Sequence, residues 1–190
     1  MKTKISLTLF CTLAISLFIA CNSTTKKATN AEATAVTETH SDTETVTSGA
    51  YTSKMTKSDK KKYFDGSKNV VYEIKYKTDG FKLRTPSSNL LWKVKLYDGK
   101  VKISNNEENL NPYEIKLTET YKAKLVKNDE TIARTSYDLG VKKQSVAAVN
   151  DTEPAFFETS YSPSLLLHRI SEIPEDQKNI LIQELKAKGY

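Results

Sequence analysis

Cations recur at every second position through the middle of this 190-residue chain. Lys75 and Lys77, Lys82 and Arg84, Lys93 and Lys95, Lys100 and Lys102, Lys116, and Lys122 and Lys124 each alternate with apolar or aromatic residues. Side chains two apart project from the same face of a strand, so neighbouring strands of this kind build a comb of positive charge. A comb recognises anions: lipid head groups, phosphorylated or acidic glycans, or an acidic protein surface. Lysine is also the common outward residue of sheets and guards their edges against aggregation, and the spacing alone is compatible with both roles. Other chemistries lack their residues. The two histidines stand apart, His40 in a polar stretch and His168 in an apolar one. There is no Gly-Lys-Ser/Thr phosphate loop, no Gly-x-Ser-x-Gly and no His-Glu-x-x-His. Asn105, Asn106, Glu107, Glu108 and Asn109 offer oxygens but do not alternate around a glycine as a calcium loop does, and they read as a solvated turn. The expectation is a non-enzymatic domain without metal or cofactor.

Cys21 closes the one strongly apolar run. Lys2 and Lys4 precede ISLTLFCTLAISLFIA, residues 5–20, which falls short of the roughly 20 apolar residues of a membrane span and suits the apolar region of a secretory signal. Phe18-Ile19-Ala20-Cys21 resembles the lipobox of bacterial lipoproteins, with Phe18 where Leu is usual. The resemblance implies diacylglyceryl attachment to the Cys21 sulfur, cleavage between Ala20 and Cys21, and acylation of the new amine. A thiolate is the nucleophile such chemistry needs, and two or more acyl chains anchor stably where one does not. The alternative is an ordinary signal peptide cut near Ala20. Asn22, Ser23, Thr24 and Thr25 follow, without the Asp of inner-membrane retention or the acidic cluster of surface-exported lipoproteins of the Bacteroidota. By resemblance the protein is then lipid-anchored in the outer membrane, facing the periplasm. Lipidation would leave the mature domain with neither free thiol nor disulfide.

Residues 21–56 follow as a tether rich in Thr, Ser and Ala, too poor in large apolar residues to offset its ordering entropy. Charge is unevenly spread: of the net +6, residues 1–20 carry +2 and residues 22–50 carry −2, so residues 51–190 hold +6. Nucleic acid is not an expected partner of an exported domain.

What must position the comb is a β-rich domain over residues 57–190. Val70, Tyr72, Ile74 and Tyr76 alternate with Glu73, Lys75 and Lys77; Phe81 and Leu83 follow an Asp79-Gly80 turn; Leu90, Trp92, Val94 and Leu96 follow a break at Pro86. The pattern continues to Thr159 and predicts eight or nine strands in an antiparallel meander, closed as a small barrel or packed as a sandwich. Tyr72-Glu73-Ile74-Lys75 recurs 41 residues on as Tyr113-Glu114-Ile115-Lys116, which reads as a duplicated unit of about 30 residues or as shared composition. Helices are predicted over about 162–189. Ser162 would cap the first, with Pro163 at its first position. Pro174 starts the second, with Glu175 and Asp176 in its first turn and Lys186 and Lys188 near its end, the order that suits the helix dipole.

FKLRTPSSNLLWKVK and KAKLVKNDETIART, residues 81–95 and 122–135, resemble strand-turn-strand units of the tubby-like family, which includes the scramblases and LURP-one proteins. That resemblance implies a barrel around an apolar C-terminal helix. The functional expectation is a tethered binding module for an anionic lipid or glycan. Alternatives are a structural lipoprotein that docks on another envelope protein, or a carrier of a small apolar ligand.

Overall fold

The computed structural model of the protein describes residues 47–48 and 51–190. The signal segment, Cys21, most of the tether and His40 lie outside the described residues. Twelve antiparallel strands form one sheet in which each pairs only with its neighbours in the chain. They are β1 (Thr47–Ser48), β2 (Tyr51–Lys57), β3 (Lys60–Phe64), β4 (Val70–Lys77), β5 (Gly80–Arg84), β6 (Leu90–Tyr97), β7 (Lys100–Ser104), β8 (Tyr113–Glu119), β9 (Lys122–Lys127), β10 (Glu130–Asp138), β11 (Lys143–Ala148) and β12 (Ala155–Phe157). The mainly β meander with C-terminal helices is therefore as the sequence predicts. Among the described residues its terminal strands do not pair, so the sheet does not close into a barrel, and the C-terminal helices pack on one of its faces. The strands outnumber the eight or nine predicted. β2 occupies residues assigned to the tether, because Lys54, Met55, Thr56 and Lys57 are all exposed and give it no alternation to read.

The repeat is shorter than the 41-residue echo implied. At the open ends of hairpins β3–β4, β5–β6, β7–β8 and β9–β10, bonds run from Tyr76 N to Asp59 O, Leu96 N to Asp79 O, Leu117 N to Gly99 O and Tyr137 N to Tyr121 O, at 2.8–3.0 Å, so the donors recur every 20 or 21 residues. At the other end of the sheet, Asp65 N bonds Asn69 O and Thr85 N bonds Asn89 O, both at 3.0 Å. Asn69 N is held by Asp65 Oδ1 (2.8 Å), and Asn89 N by Thr85 Oγ1 (3.1 Å). The unit is thus one hairpin, and the echo spans two. Between β7 and β8 the short turn is replaced by the longer loop 105–112, although the donor spacing across it stays at 21.

A 3-10 helix, Pro163–Arg169, and an α-helix, α1 (Glu175–Lys186), lie on the covered face. The 3-10 helix contacts β8, β9, β10 and β11 as well as α1, which is why Leu165, Leu166 and Leu167 are all buried. Its Ser162 sits at the N-cap without capping. The Ser162 hydroxyl donates instead to Tyr190 O at 2.8 Å, while buried Gln144 clamps the backbone of Ser162, donating to its O (2.7 Å) and accepting from its N (2.8 Å). Burial made backbone satisfaction from the sheet available where a surface helix would use its own cap.

α1 is tied to the other half of the sheet by acids. Asp176 accepts from Tyr51 (3.1 Å) and Tyr72 (2.6 Å), and Glu184 accepts from Tyr63 (2.6 Å), Tyr76 (2.7 Å) and Lys61 (2.7 Å). Trp92 Nε1 donates to Gln177 Oε1 at 2.8 Å, and Tyr113 donates to Glu172 just before the helix. Buried tyrosine hydroxyls need a partner, and this sheet finds it in the helical segment. Burial, reinforced by the Asp176 hydrogen bond, pushes the Tyr72 phenol up to about 12. Burial and the neighbouring Glu184 charge raise Tyr63 and Tyr76 as well.

Candidate anion-binding face

The opposite face of the sheet carries the comb. Register places Lys60, Lys75, Lys82 and Lys93 directly opposite one another on β3, β4, β5 and β6. Arg84 pairs with Glu73, Lys95 with Lys102, and Lys124 with both Lys116 and Arg134. Directly opposed like charges on adjacent strands repel, and carboxylates are interleaved wherever the rows are densest. Glu73 accepts from Lys60 (2.9 Å) and pairs with Lys62 (3.3 Å); Glu114 pairs with Lys102 and Lys116, both at 2.8 Å. Asp79 pairs with Lys95 (3.1 Å), Asp59 with Lys75, and Glu119 with Lys122 (2.9 Å). Glu107 binds Lys82 and Arg84, and its carbonyl accepts from Lys93.

Of the predicted cations, Lys75, Lys82, Arg84, Lys95 and Lys122 are therefore ion-paired, and Lys93 is bound to a backbone oxygen. Lys77 and Lys124 have no carboxylate within ion-pair distance among the described residues. Sequence reasoning missed Lys60 and Lys62, which lie opposite Lys57 and Lys54 of β2, because KKKYF has only Tyr63 as a buried residue. It also read Glu107 as part of a solvated turn. The signal for Glu107 was the length of its loop, residues 105–112, where the earlier turns at that end of the sheet span only 65–69 and 85–89.

No family model, curated protein or solved structure matches the chain. Among the described residues no group of three or more His, Cys, Asp or Glu could hold a metal ion, and no helix is long and apolar enough to cross a membrane. His168 stacks on Phe157 with ring centroids 5.3 Å apart, and burial lowers its pKa.

The shared carboxylates have a titration consequence. Burial raises the Glu114 carboxyl, but the hydrogen bonds from Lys102 and Lys116 outweigh it and bring the group from 4.5 to about 2. A depressed folded-state pKa adds stability above the unfolded value, and that stability is lost as pH falls through the folded one. Chemical denaturation across pH should show the wild type losing stability between 4.5 and about 2, with Glu114→Gln flattening part of that slope. An unchanged slope in the variant would mean that the triad contributes nothing.

Proposed function

We propose that the chain is a lipoprotein of the bacterial envelope, held through lipidated Cys21 at the outer membrane on its periplasmic side, whose open sheet face binds an anionic lipid or glycan without catalysing a reaction. The sharing of carboxylates carries this reading. Glu73, Glu107 and Glu114 each serve two cations, so every such triad retains one positive charge after internal pairing. Lys77 and Lys124 add theirs unpaired. Such an excess keeps a face soluble but at the cost of repulsion along each row, which an anionic partner would relieve.

The mature chain with Cys21→Ser, residues 21–190, is suited to vesicle co-sedimentation because it lacks the anchor. It should bind phosphatidylglycerol-containing vesicles, bind neutral phosphatidylcholine vesicles weakly, and lose binding as salt rises, since screening shortens to about 3 Å at 1 M. Equal recovery on neutral and anionic vesicles would sink the reading.

A protein partner is the second reading. It rests on β12, an edge strand whose outer side is unpaired among the described residues and whose Phe156 is 65% exposed; edge strands accept extended segments of other chains. The carrier alternative is disfavoured because the chain's own Leu166, Leu167, Ile170, Ile180 and Leu181 fill the apolar space over the sheet.

A further inference from the structure

We propose that Lys82, Arg84 and Lys93 form a binding site for a phosphate monoester, and that Glu107 is a built-in competitor occupying it. This deepens the anionic-face reading and rests on it.

Three cations from two adjacent strands converge on one residue. Lys82 and Arg84 leave β5 two positions apart, and Lys93 faces Lys82 across the β5–β6 pair. Glu107 takes Lys82 on one carboxylate oxygen and Arg84 on the other at 3.4 Å, while its main-chain oxygen takes Lys93. One carboxylate thus faces three positive charges, leaving an excess of two. Arg84 is not fully used: its Nε is buried without a partner, and its bond to Glu107 is long for a charge-assisted pair. Guanidinium beside ammonium groups is the donor set that suits a phosphate, which brings three acceptor oxygens and close to two negative charges at neutral pH.

The loop that delivers Glu107 is the departure from the repeat. Two preceding units cross this end of the sheet through the short turns at Asp65–Asn69 and Thr85–Asn89; the third uses residues 105–112. Insertions in a repeating structure collect on a binding side. This one is braced from within: Ser104 donates to Asn109 Oδ1 (2.8 Å), Leu110 N to Asn106 Oδ1 (2.7 Å) and Asn106 Nδ2 to Leu110 O (2.9 Å). The Glu107 side chain itself stays 46% exposed, whereas that of Lys82 is 16% exposed. A ligand can therefore displace the carboxylate to solvent while the cations stay in place. The Lys82 hydrogen bond holds the Glu107 carboxyl below its usual range, so it competes as a full anion at neutral pH.

The test uses the same mature chain with Cys21→Ser, titrated with inorganic phosphate and, separately, with phosphatidylcholine vesicles carrying either phosphatidic acid, a monoester, or phosphatidylglycerol, a diester. Glu107→Gln removes the competitor's charge and should tighten phosphate binding by about tenfold, whereas Lys82→Ala and Arg84→Ala should each weaken it by about tenfold. Lys186→Ala, a cation lost from the end of α1, should leave phosphate affinity unchanged. Gained affinity in Glu107→Gln cannot come from misfolding. The site is overturned if Glu107→Gln binds phosphate no better than wild type. It is equally overturned if both lipids bind alike in every variant while phosphate is ignored, an outcome that leaves the anionic-face reading standing. Phosphate binding that follows the variants without any vesicle binding would support the site with a soluble ligand and remove the lipid surface as its source.

Discussion

Glu184→Ala should destabilise the domain by about 3–5 kcal/mol, the cost of removing one partner from a buried ion pair. Glu184 is 2% exposed and accepts from Tyr63, Tyr76 and Lys61, at 2.6, 2.7 and 2.7 Å. Truncation strands one ammonium and two phenols at the interface between sheet and helix. Each orphaned buried donor forfeits about 1–3 kcal/mol, while partial solvation of Lys61, whose side chain is 18% exposed, moderates the total. Glu184→Gln keeps an acceptor for the tyrosines and should fall between wild type and Ala. Urea denaturation would show the midpoint falling with little change in slope. A loss below about 1 kcal/mol, typical of an exposed pair, would mean that the network does not hold α1 to the sheet.

Gly80→Ala should be at least as severe, for a different reason. The backbone of Gly80 has φ +153°, and a Cβ there would lie 2.0 Å from Val94 O and 2.9 Å from Val94 C. Neither is the end of a flexible side chain, so β5 and β6 must separate where Gly80 pairs with Lys95. The neighbouring pair is Phe81 with Val94, both 1% exposed, so the displacement reaches the core. A loss beyond about 4 kcal/mol, or failure to accumulate folded protein, is expected. Gly99→Ala is the matched control: φ is +65° but nothing lies within 4 Å of its added Cβ, so only the left-handed backbone penalty of about 1–2 kcal/mol applies. Equal losses at the two glycines would show that backbone conformation, not the approach of β6, sets the cost.

Legibility in the sequence followed burial. From Val70 to Tyr97 the covered-face residues are large and apolar or aromatic, and strands, turns and facing were readable from alternation. β2 and β3 were not, because Ser53 and Tyr63 are their only buried residues and the rest are largely lysine. The Asp79-Gly80 turn was recognised, though for an incomplete reason: Gly80 is required by the nearness of Val94 O as well as by its dihedral. The roles of Asp176 and Glu184 were hidden because acids on a helix ordinarily read as dipole partners or solvent contacts. The clue lay in the sheet, where Tyr72 and Tyr76 fall on the face that must be buried and so demand acceptors. For the comb, the sequence identified cations but not their pairing, since Asp59, Asp79 and Glu107 come from turns whose reach depends on register.

The neighbour-to-neighbour meander also bears on the order of folding. Hairpins close locally and cheaply, and a chain built from them has low contact order. The hydrogen bonds between residues most distant in sequence, such as Tyr51 to Asp176 across 125 residues and Lys61 to Glu184 across 123, end in residues 172–190, as do those of Tyr63, Tyr72, Tyr76, Trp92, Tyr97 and Tyr113. Without that segment the strands are a row of weakly coupled units, each able to fray alone. Residues 172–190, which follow every strand in chain order, are therefore what couples β2 through β8 into a single cooperative body.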